Sequence, residues 1–480
     1  MRGTNETIAL DKAHCWHPFT PNATWLDPQY QPIMIAEAEG AELIDSTGRR
    51  YLDGNSSIWT NLHGHRHPHL DSALKAQIDR IAHSSFLGLG NTLAPHLAAR
   101  LIRLARNGPG GGTDSTHSDD LNRCFYSDDG ATAVEAGLKI VHQHWRQLGH
   151  EKRTRYLSLG GGYHGDTVGA MSLGHSDTFH HHYGKLLFKS EEIRAPDCYR
   201  CPYNKARPER NDNRLERKCS MECARELERA VLEKSDASGD GAEVAALIME
   251  PRVQGAAGMI MHPPGYLAKA AEVTREAGAK LILDEVMTGF GRTGPLFAFQ
   301  HEQEPGVQPD VVALAKGLTG GYLPMAATLI TEQIFHAFDG GADRAFYHGH
   351  SYTGNQLGCA VAGASLDLLE APGFVEKHRE RIATLRRLAE LFWTHPNVGD
   401  VRQEGLILAV ELVEDFETRR AFPRQKRLGW HVCEHAREHG LLTRAVGDVL
   451  VLMPPYCCGE PELRRMVEAL FRGLCDVLPV

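Results

Sequence analysis

The sequence predicts an α/β protein, with a large domain built on a mostly parallel sheet and a second, smaller α+β domain. Three observations carry this expectation. Short apolar runs with β-branched residues recur at Arg155–Leu159, Val244–Met249, Lys280–Leu283 and Asp310–Ala315, each bounded as a strand buried on both faces is. Segments with helical spacing accompany them. Ala131–Leu148 sets Val134, Leu138, Val141 and Trp145 on one stripe, and Gly265–Gly278 places Leu267, Ala271 and Val273–Thr274 at roughly helical spacing. From about residue 360 helical patterns dominate around two apolar runs, Leu406–Val413 and Val449–Met453. Strand–helix–strand alternation closes into a parallel sheet covered by helices. The expected division is residues 1–75 as an N-terminal segment of the smaller domain, 76–355 as the large domain and 356–480 as the C-terminal smaller domain.

The chain has 480 residues, 42% hydrophobic and 24% charged, with a formal charge of −9. That length suits one large two-domain enzyme or roughly three domains. Lysine and arginine number 52 against 61 acidic residues, so there is no basic excess for a nucleic-acid backbone. The longest apolar runs, such as Leu406–Val413 with Glu411 inside it, fall short of the ~20 residues that span a bilayer. The N-terminus lacks a charged-then-apolar secretory pattern. Eleven cysteines, an odd and scattered set, suit reduced thiols in the cytoplasm. Neither a nucleic-acid nor a membrane partner is expected. Asn107–Asp120 and Ser235–Ala242 read as surface loops, and the charged stretch Tyr203–Lys218 as an excursion from the main fold.

Ligands of open parallel sheets gather beyond the carboxyl ends of the strands. There the sequence sets Gly160–Gly162 with Tyr163-His164-Gly165, Glu250-Pro251, Asp284-Glu285-Val286 and Lys316-Gly317. Lys316 follows an apolar strand. It is either a lysine reaching solvent or an amine that burial keeps near neutral for Schiff-base chemistry. Asp284 is either a capping or ion-paired carboxylate or the counter-ion of a protonated pyridine nitrogen. The helix starting at Gly130 offers free backbone N–H groups to a phosphate, although an ordinary N-cap has the same pattern. Tyr163 is a core tyrosine or a ring lying flat on a cofactor.

Longer motifs then narrow these choices. DEVMTGFGRTG (Asp284–Gly294), ALAKGLTGGYLPMAA (Ala313–Ala327), YHGDTVGAMS (Tyr163–Ser172) and HSYTGNQLGCA (His350–Ala360) resemble the class III, ω-amino-acid type pyridoxal-phosphate aminotransferases, of fold type I. The resemblance runs from about residue 14 to the C-terminal end. It implies that Lys316 carries pyridoxal 5'-phosphate and shuttles a proton, that Asp284 bonds the pyridine nitrogen, and that Val286 and Tyr163 pack on the two ring faces. Gly130 and Ala131 match the phosphate cradle. Ser351 matches the hydroxyl residue that reaches the phosphate from the other subunit of a homodimer with shared sites. Arg444 matches the arginine that pairs with the substrate carboxylate, while Phe19, Trp59 and Asp166 match substrate-pocket positions, and Ile58 is expected to join Trp59 and Phe19 as an apolar wall. Where the family carries Ser before the phosphate glycine, this chain has Asp129, so the backbone rather than that side chain is expected to meet the phosphate.

Within the family, CWHPFTP, DGNSSIWTNLHGHRHPHL (Asp53–Leu70) and GLLTRAVGDVLVLMPPY (Gly440–Tyr456) are most similar to the branch that aminates 8-amino-7-oxononanoate in biotin synthesis. The implied donor is lysine or S-adenosylmethionine. Phe19, where adenosylmethionine users tend to carry Tyr, points to lysine. The alternative is a class III ω-transaminase acting on a diamine, β-alanine or taurine. Cys198-x2-Cys201 and Cys219-x3-Cys223, 17 residues apart, have a spacing close to a zinc ribbon, but similar segments occur in the family as ordinary loop cysteines. The run His180–His182 is expected on the solvated surface. No metal is placed in the site.

Overall fold

Residues 4–108, 119–233 and 243–480 are described by the computed structural model. The expected loop at 235–242 lies outside them, as does most of Asn107–Asp120. Seven strands form the central sheet: β1 (Leu121–Ser127), β2 (Arg155–Leu159), β3 (Glu191–Ile193), β4 (Val244–Met249), β5 (Lys280–Asp284), β6 (Val311–Leu314) and β7 (Ala326–Thr331). Their order across the sheet is β1-β7-β6-β5-β4-β2-β3. β7 runs antiparallel to β6 and β1, and all other pairings are parallel. The α/β expectation is borne out. Every residue of β4, β5 and β6 is buried, as continuous apolar runs require when helices cover both faces. β1 (LNRCFYS) and β3 (EEI) mix polar residues into their runs, which hides them from a hydrophobic reading.

The register of this sheet sets the level of its upper edge. Asp284 pairs with Ala313 and Leu283 with Met249, so β4, β5 and β6 end together and release Glu250, Glu285 and Ala315-Lys316 at one rim. Helix α1 (Gly130–Gln147) starts at the same rim. Asp129 is its N-cap, accepting from the Thr132 backbone while the Thr132 hydroxyl accepts from Asp129, a reciprocal cap that holds a helix start in place. Val134, Leu138, Val141 and Trp145 are all buried.

Toward the C-terminus, strands Val398–Glu404, Ile407–Leu412, Val449–Leu452 and Arg444–Val446 form a four-stranded antiparallel sheet. Helices α2 (Gln356–Leu369), α3 (Phe374–Ala389), α4 (Leu428–Glu438) and α5 (Glu460–Val477) accompany it in the chain. A further sheet joins Ile35–Glu39, Glu42–Asp45 and Arg50–Asp53 to Leu441–Leu442, so the two ends of the chain meet with Leu441 opposite Leu52.

The charged stretch Tyr203–Lys218 is packed rather than splayed out. Arg214 reaches Asp212 and Glu404 at 2.7 and 2.5 Å, and Asn213 reaches Asp400 at 3.0 Å. Arg252 joins the same network through Glu304 and Glu404, at 2.7 and 2.8 Å. Strand Val398–Glu404 is thus buried along its whole length although four of its seven residues are polar or charged, because buried charges persist when paired and hydrogen-bonded. Among the described residues, no single helix is long and apolar enough to cross a membrane.

Candidate active site

A cavity of about 710 Å³ opens above the carboxyl ends of β2, β4, β5 and β6 and the start of α1. Its lining includes Trp59, Gly130, Ala131, Tyr163, Asp166, Asp284, Val286 and Lys316. The sheet register and the α1 cap bring them together from five separate parts of the chain.

Lys316 leaves β6 in the left-handed region, with φ 43°, a conformation a non-glycine residue keeps only when its surroundings hold it there. The following Gly317 allows a close approach, since a Cβ there would lie 2.9 Å from Leu62 and 3.2 Å from Phe290. The Lys316 amine sits 4.9 Å from the centre of the Trp59 ring. Burial holds this amine below the ordinary lysine range, opposed by the nearby Asp284 and Glu250 carboxyls and reinforced by Arg292. The result is an amine closer to its nucleophilic, unprotonated form.

Asp284 is buried, with Oδ2 2.7 Å from Nδ1 of His164 and Oδ1 accepting from the Val286 backbone at 3.1 Å. His164 is equally sealed, and its Nε2 has no partner. Glu250 accepts from Gly255 N at 2.8 Å and Tyr163 N at 3.3 Å. Burial pushes its carboxyl up to about 7, His164 acting against the rise and Asp284 adding to it. Neither His164 nor Glu250 has a chemical role legible from its position in the sequence, although both stand at strand ends.

Tyr163 donates its hydroxyl to Asp166 at 2.7 Å and stacks on His180, with ring centres 5.9 Å apart. Burial, and then the Asp166 contact, hold its phenol well above the ordinary tyrosine range, so it stays a neutral donor. His180 therefore faces inward and is 6% exposed, whereas its run was expected on the surface; its ring completes the packing of Tyr163. His181 and His182 remain exposed.

Two glycines close the cradle at α1. A Cβ on Gly130 would meet Val286 at 2.6 Å, and one on Gly165, at φ +121°, would meet Ala131 at 2.3 Å. Asp129 Oδ1 is engaged by Thr132 N at 2.9 Å. The N–H groups of Gly130 and Ala131 thus remain available at the helix start, as an anion site needs.

Four expected residues do not line this cavity in the single chain. Phe19 is 58% exposed and is linked to the site through Phe179, which it meets edge-on at 5.6 Å while Phe179 meets Tyr163 at 5.4 Å. Ile58, Ser351 and Arg444 are exposed. Cys198 and Cys223 are buried free thiols, with Cys201 and Cys219 half-buried. Among the described residues no group of three or more His, Cys, Asp or Glu side chains is arranged to hold a metal ion.

A mostly parallel sheet whose strand ends bring a lysine, a buried aspartate and a helix N-terminus into one cavity is the architecture of a fold type I transaminase. The chain belongs to the family described as aminotransferase class-III, whose sequence profile matches residues 25–474. It is 47% identical over 466 residues to the adenosylmethionine-8-amino-7-oxononanoate aminotransferase of Nitratidesulfovibrio vulgaris strain Hildenborough, covering 96% of this chain and 80% of that protein. The crystal structure of the enzyme of that name from Methanocaldococcus jannaschii superposes with a TM-score of 0.88 at 36% identity, over 99% of each chain. A PLP-bound amine transaminase from an uncultivated Pseudomonas species gives a TM-score of 0.84 at 32% identity, over 96% of this chain and 98% of that one.

Proposed function

We propose that this chain transfers an amino group to 8-amino-7-oxononanoate, giving 7,8-diaminononanoate for biotin synthesis, with pyridoxal 5'-phosphate as its coenzyme. The convergence of the Lys316 amine and the His164–Asp284 pair on one cavity carries the chemistry, and the similarity over nearly the full chain to enzymes of that name supports the substrate. The residues present fit the coenzyme. The unpaired Nε2 of His164 and Oγ1 of Thr167 lie in residues that line a cavity with polar capacity to spare.

Asp284, held by His164, would face the ring nitrogen, and Lys316 would hold the carbonyl carbon. Gly130 and Ala131 would take the phosphate on backbone N–H groups, with Tyr163 and Val286 on the ring faces. When bound, pyridoxal phosphate supplies an electron sink for the pair left on the amine-bearing carbon when its proton departs. Lys316 accepts that proton at Nζ and returns it, a general acid–base role suited to an amine held near neutral. Tyr163 keeps its own proton, donates it as a hydrogen bond to Asp166 and so orients the carboxylate of that residue. Trp59 and Met287 form one wall, both packed against Gly255.

Ser351, exposed in the single chain, would reach the phosphate across a homodimer with shared sites. Arg444 would pair with the keto-acid carboxylate, and Phe19 and Ile58 would cover the aliphatic chain. The eleven free cysteines suit a cytoplasmic enzyme. Phe19 favours lysine as donor, whereas the names of the relatives carry adenosylmethionine.

The test is direct. Purified protein loaded with pyridoxal phosphate is incubated with 8-amino-7-oxononanoate and either lysine or S-adenosylmethionine, and the diamine is followed by mass spectrometry. Formation with one donor establishes the reading and names the donor. No product with either, together with amination driven by a diamine, β-alanine or taurine, replaces it with an ω-transaminase of other specificity.

A further inference from the structure

Between the strand Arg50–Asp53 and the cavity lies a turn that polypeptides avoid. Ser56, Ser57, Ile58 and Trp59 have φ of 45°, 48°, 64° and 69°, and Ser57 and Ile58 have ψ of 54° and 52°. This is one turn of left-handed helix made without glycine. Each such residue costs about 1–2 kcal/mol, so the turn exists only because something holds it.

Asp53 is the centre of what holds it. The side chain is 3% exposed. Its Oδ1 accepts from Ser57 N at 2.9 Å and Asn55 N at 3.4 Å, and its Oδ2 accepts from Ser57 Oγ at 2.8 Å. His65 Nε2 approaches the same Oδ2 at 3.0 Å. Asn61 Nδ2 donates to Nδ1 of that imidazole at 2.8 Å, which leaves the ring proton on Nε2 to face Asp53. Two outer fastenings complete the turn: Ser56 Oγ donates to Met453 O at 2.6 Å, and the Trp59 indole N–H donates to Asn55 Oδ1 at 2.6 Å.

The turn ends at the active amine. Trp59 is the last left-handed residue, and its ring lies 4.9 Å from Lys316 Nζ. A Cβ on Gly255 would touch that ring at 3.3 Å and Met287 at 2.4 Å, so the indole is one fitted wall of the cavity. A right-handed or extended path through residues 56–59 would carry the indole elsewhere.

We propose that Asp53 is a positioning residue: its carboxylate latches the left-handed turn Ser56–Trp59 and so sets the Trp59 wall of the substrate cavity beside Lys316. The inference rests on the transaminase reading above. It assigns a role to a carboxylate that touches neither the cavity nor the amine.

The experiment compares Asp53→Asn with Asp45→Asn in the coenzyme-loaded enzyme. Asp45 is an internal standard from the same sheet. Its carboxylate accepts from Thr47 N and Oγ1, Arg49 N and Tyr51 OH at 2.6–3.1 Å, and it holds a turn that does not reach the site. Asp53→Asn is expected to raise KM for 8-amino-7-oxononanoate about tenfold while kcat falls about threefold or less, because a wall is displaced and the amine is not. Asp45→Asn is expected to lower the melting temperature of the coenzyme-free protein comparably and leave KM unchanged. Adding Ser57→Gly to Asp53→Asn is expected to recover most of the KM, since glycine takes positive φ without a Cβ penalty.

The proposal is overturned if Asp53→Asn leaves KM unchanged, if Asp45→Asn raises it equally, or if Ser57→Gly brings no recovery. Should Asp53→Asn fail to fold, Ser57→Ala removes only the hydroxyl latch. Its KM is expected to rise about threefold, and an unchanged KM then overturns the proposal. Wild-type activity is measured in the same assay. Its absence counts against the proposed function, and its presence with an indifferent Asp53→Asn counts against Asp53 alone.

Discussion

His164 Nδ1 lies 2.7 Å from Asp284 Oδ2, and neither side chain reaches solvent. This contact joins the loop after β2 to the end of β5 and fixes the carboxylate that the proposed function aims at the coenzyme ring. A hydrogen bond to a charged group is worth about 1.5–3 kcal/mol. His164→Ala is therefore expected to weaken pyridoxal phosphate binding by about ten- to a hundredfold, read by absorbance titration of the coenzyme-free protein. His164→Asn, which keeps a donor, is expected to lose less.

Lys316→Ala is expected to abolish turnover with every donor while leaving the circular dichroism of the coenzyme-free protein unchanged. The substitution removes the lysine amine that lines the cavity beside Asp284 and Glu250. Turnover surviving in Lys316→Ala would contradict the assignment of the proton-transfer base.

Glu250 links pH to stability. Its carboxyl stands at about 7 in the fold against an ordinary 4.5, so the native state binds the proton more tightly than the unfolded chain. Between those values stability falls as pH rises, by up to about 1.4 kcal/mol per pH unit. Glu250→Gln keeps the neutral shape and removes the titration. The melting temperature of the coenzyme-free wild type is expected to fall relative to Glu250→Gln from pH 5 to 7, and parallel profiles would refute this.

Gly165→Ala tests the cradle. The added methyl would lie 2.3 Å from Ala131, at a φ of +121°, so the start of α1 must move. Overpacking of this kind costs about 1–3 kcal/mol. Phosphate-dependent binding of the coenzyme is expected to weaken more than binding of pyridoxal itself, measured by the same titration.

The parts of this fold that were legible in the sequence share one property, local hydrophobic continuity. β4 and β6 are unbroken apolar runs, β5 has an apolar centre (Leu281–Leu283), and all three are buried along their length, while α1 carries its apolar stripe every third or fourth residue. Strand Val398–Glu404 (VGDVRQE) shows no such pattern. Arg402 bonds Asp400 and Glu411 at 2.9 and 2.7 Å, and Arg214 bonds Glu404. Its burial is decided largely by partners outside the strand, Glu411 nine positions beyond Arg402 and Arg214 190 positions before Glu404. His180 departs from expectation for a related reason: a histidine run is polar by composition, yet one ring of the three stacks on Tyr163.

By itself, then, the sequence determined the alternation of strands and helices, the rim on which Lys316, Asp284 and Tyr163 stand, and the family those motifs belong to. These follow from periodicity and from short runs of neighbouring residues. Only the tertiary structure decided that His164 seals Asp284, that Glu250 sits where burial lifts its carboxyl, and that Asp53 braces a left-handed turn beneath Trp59. Each of these depends on a distance between groups 4 to 120 positions apart and on how little water reaches them. Hydrogen-bond geometry and desolvation are properties of packed space, and no local pattern of residues encodes them.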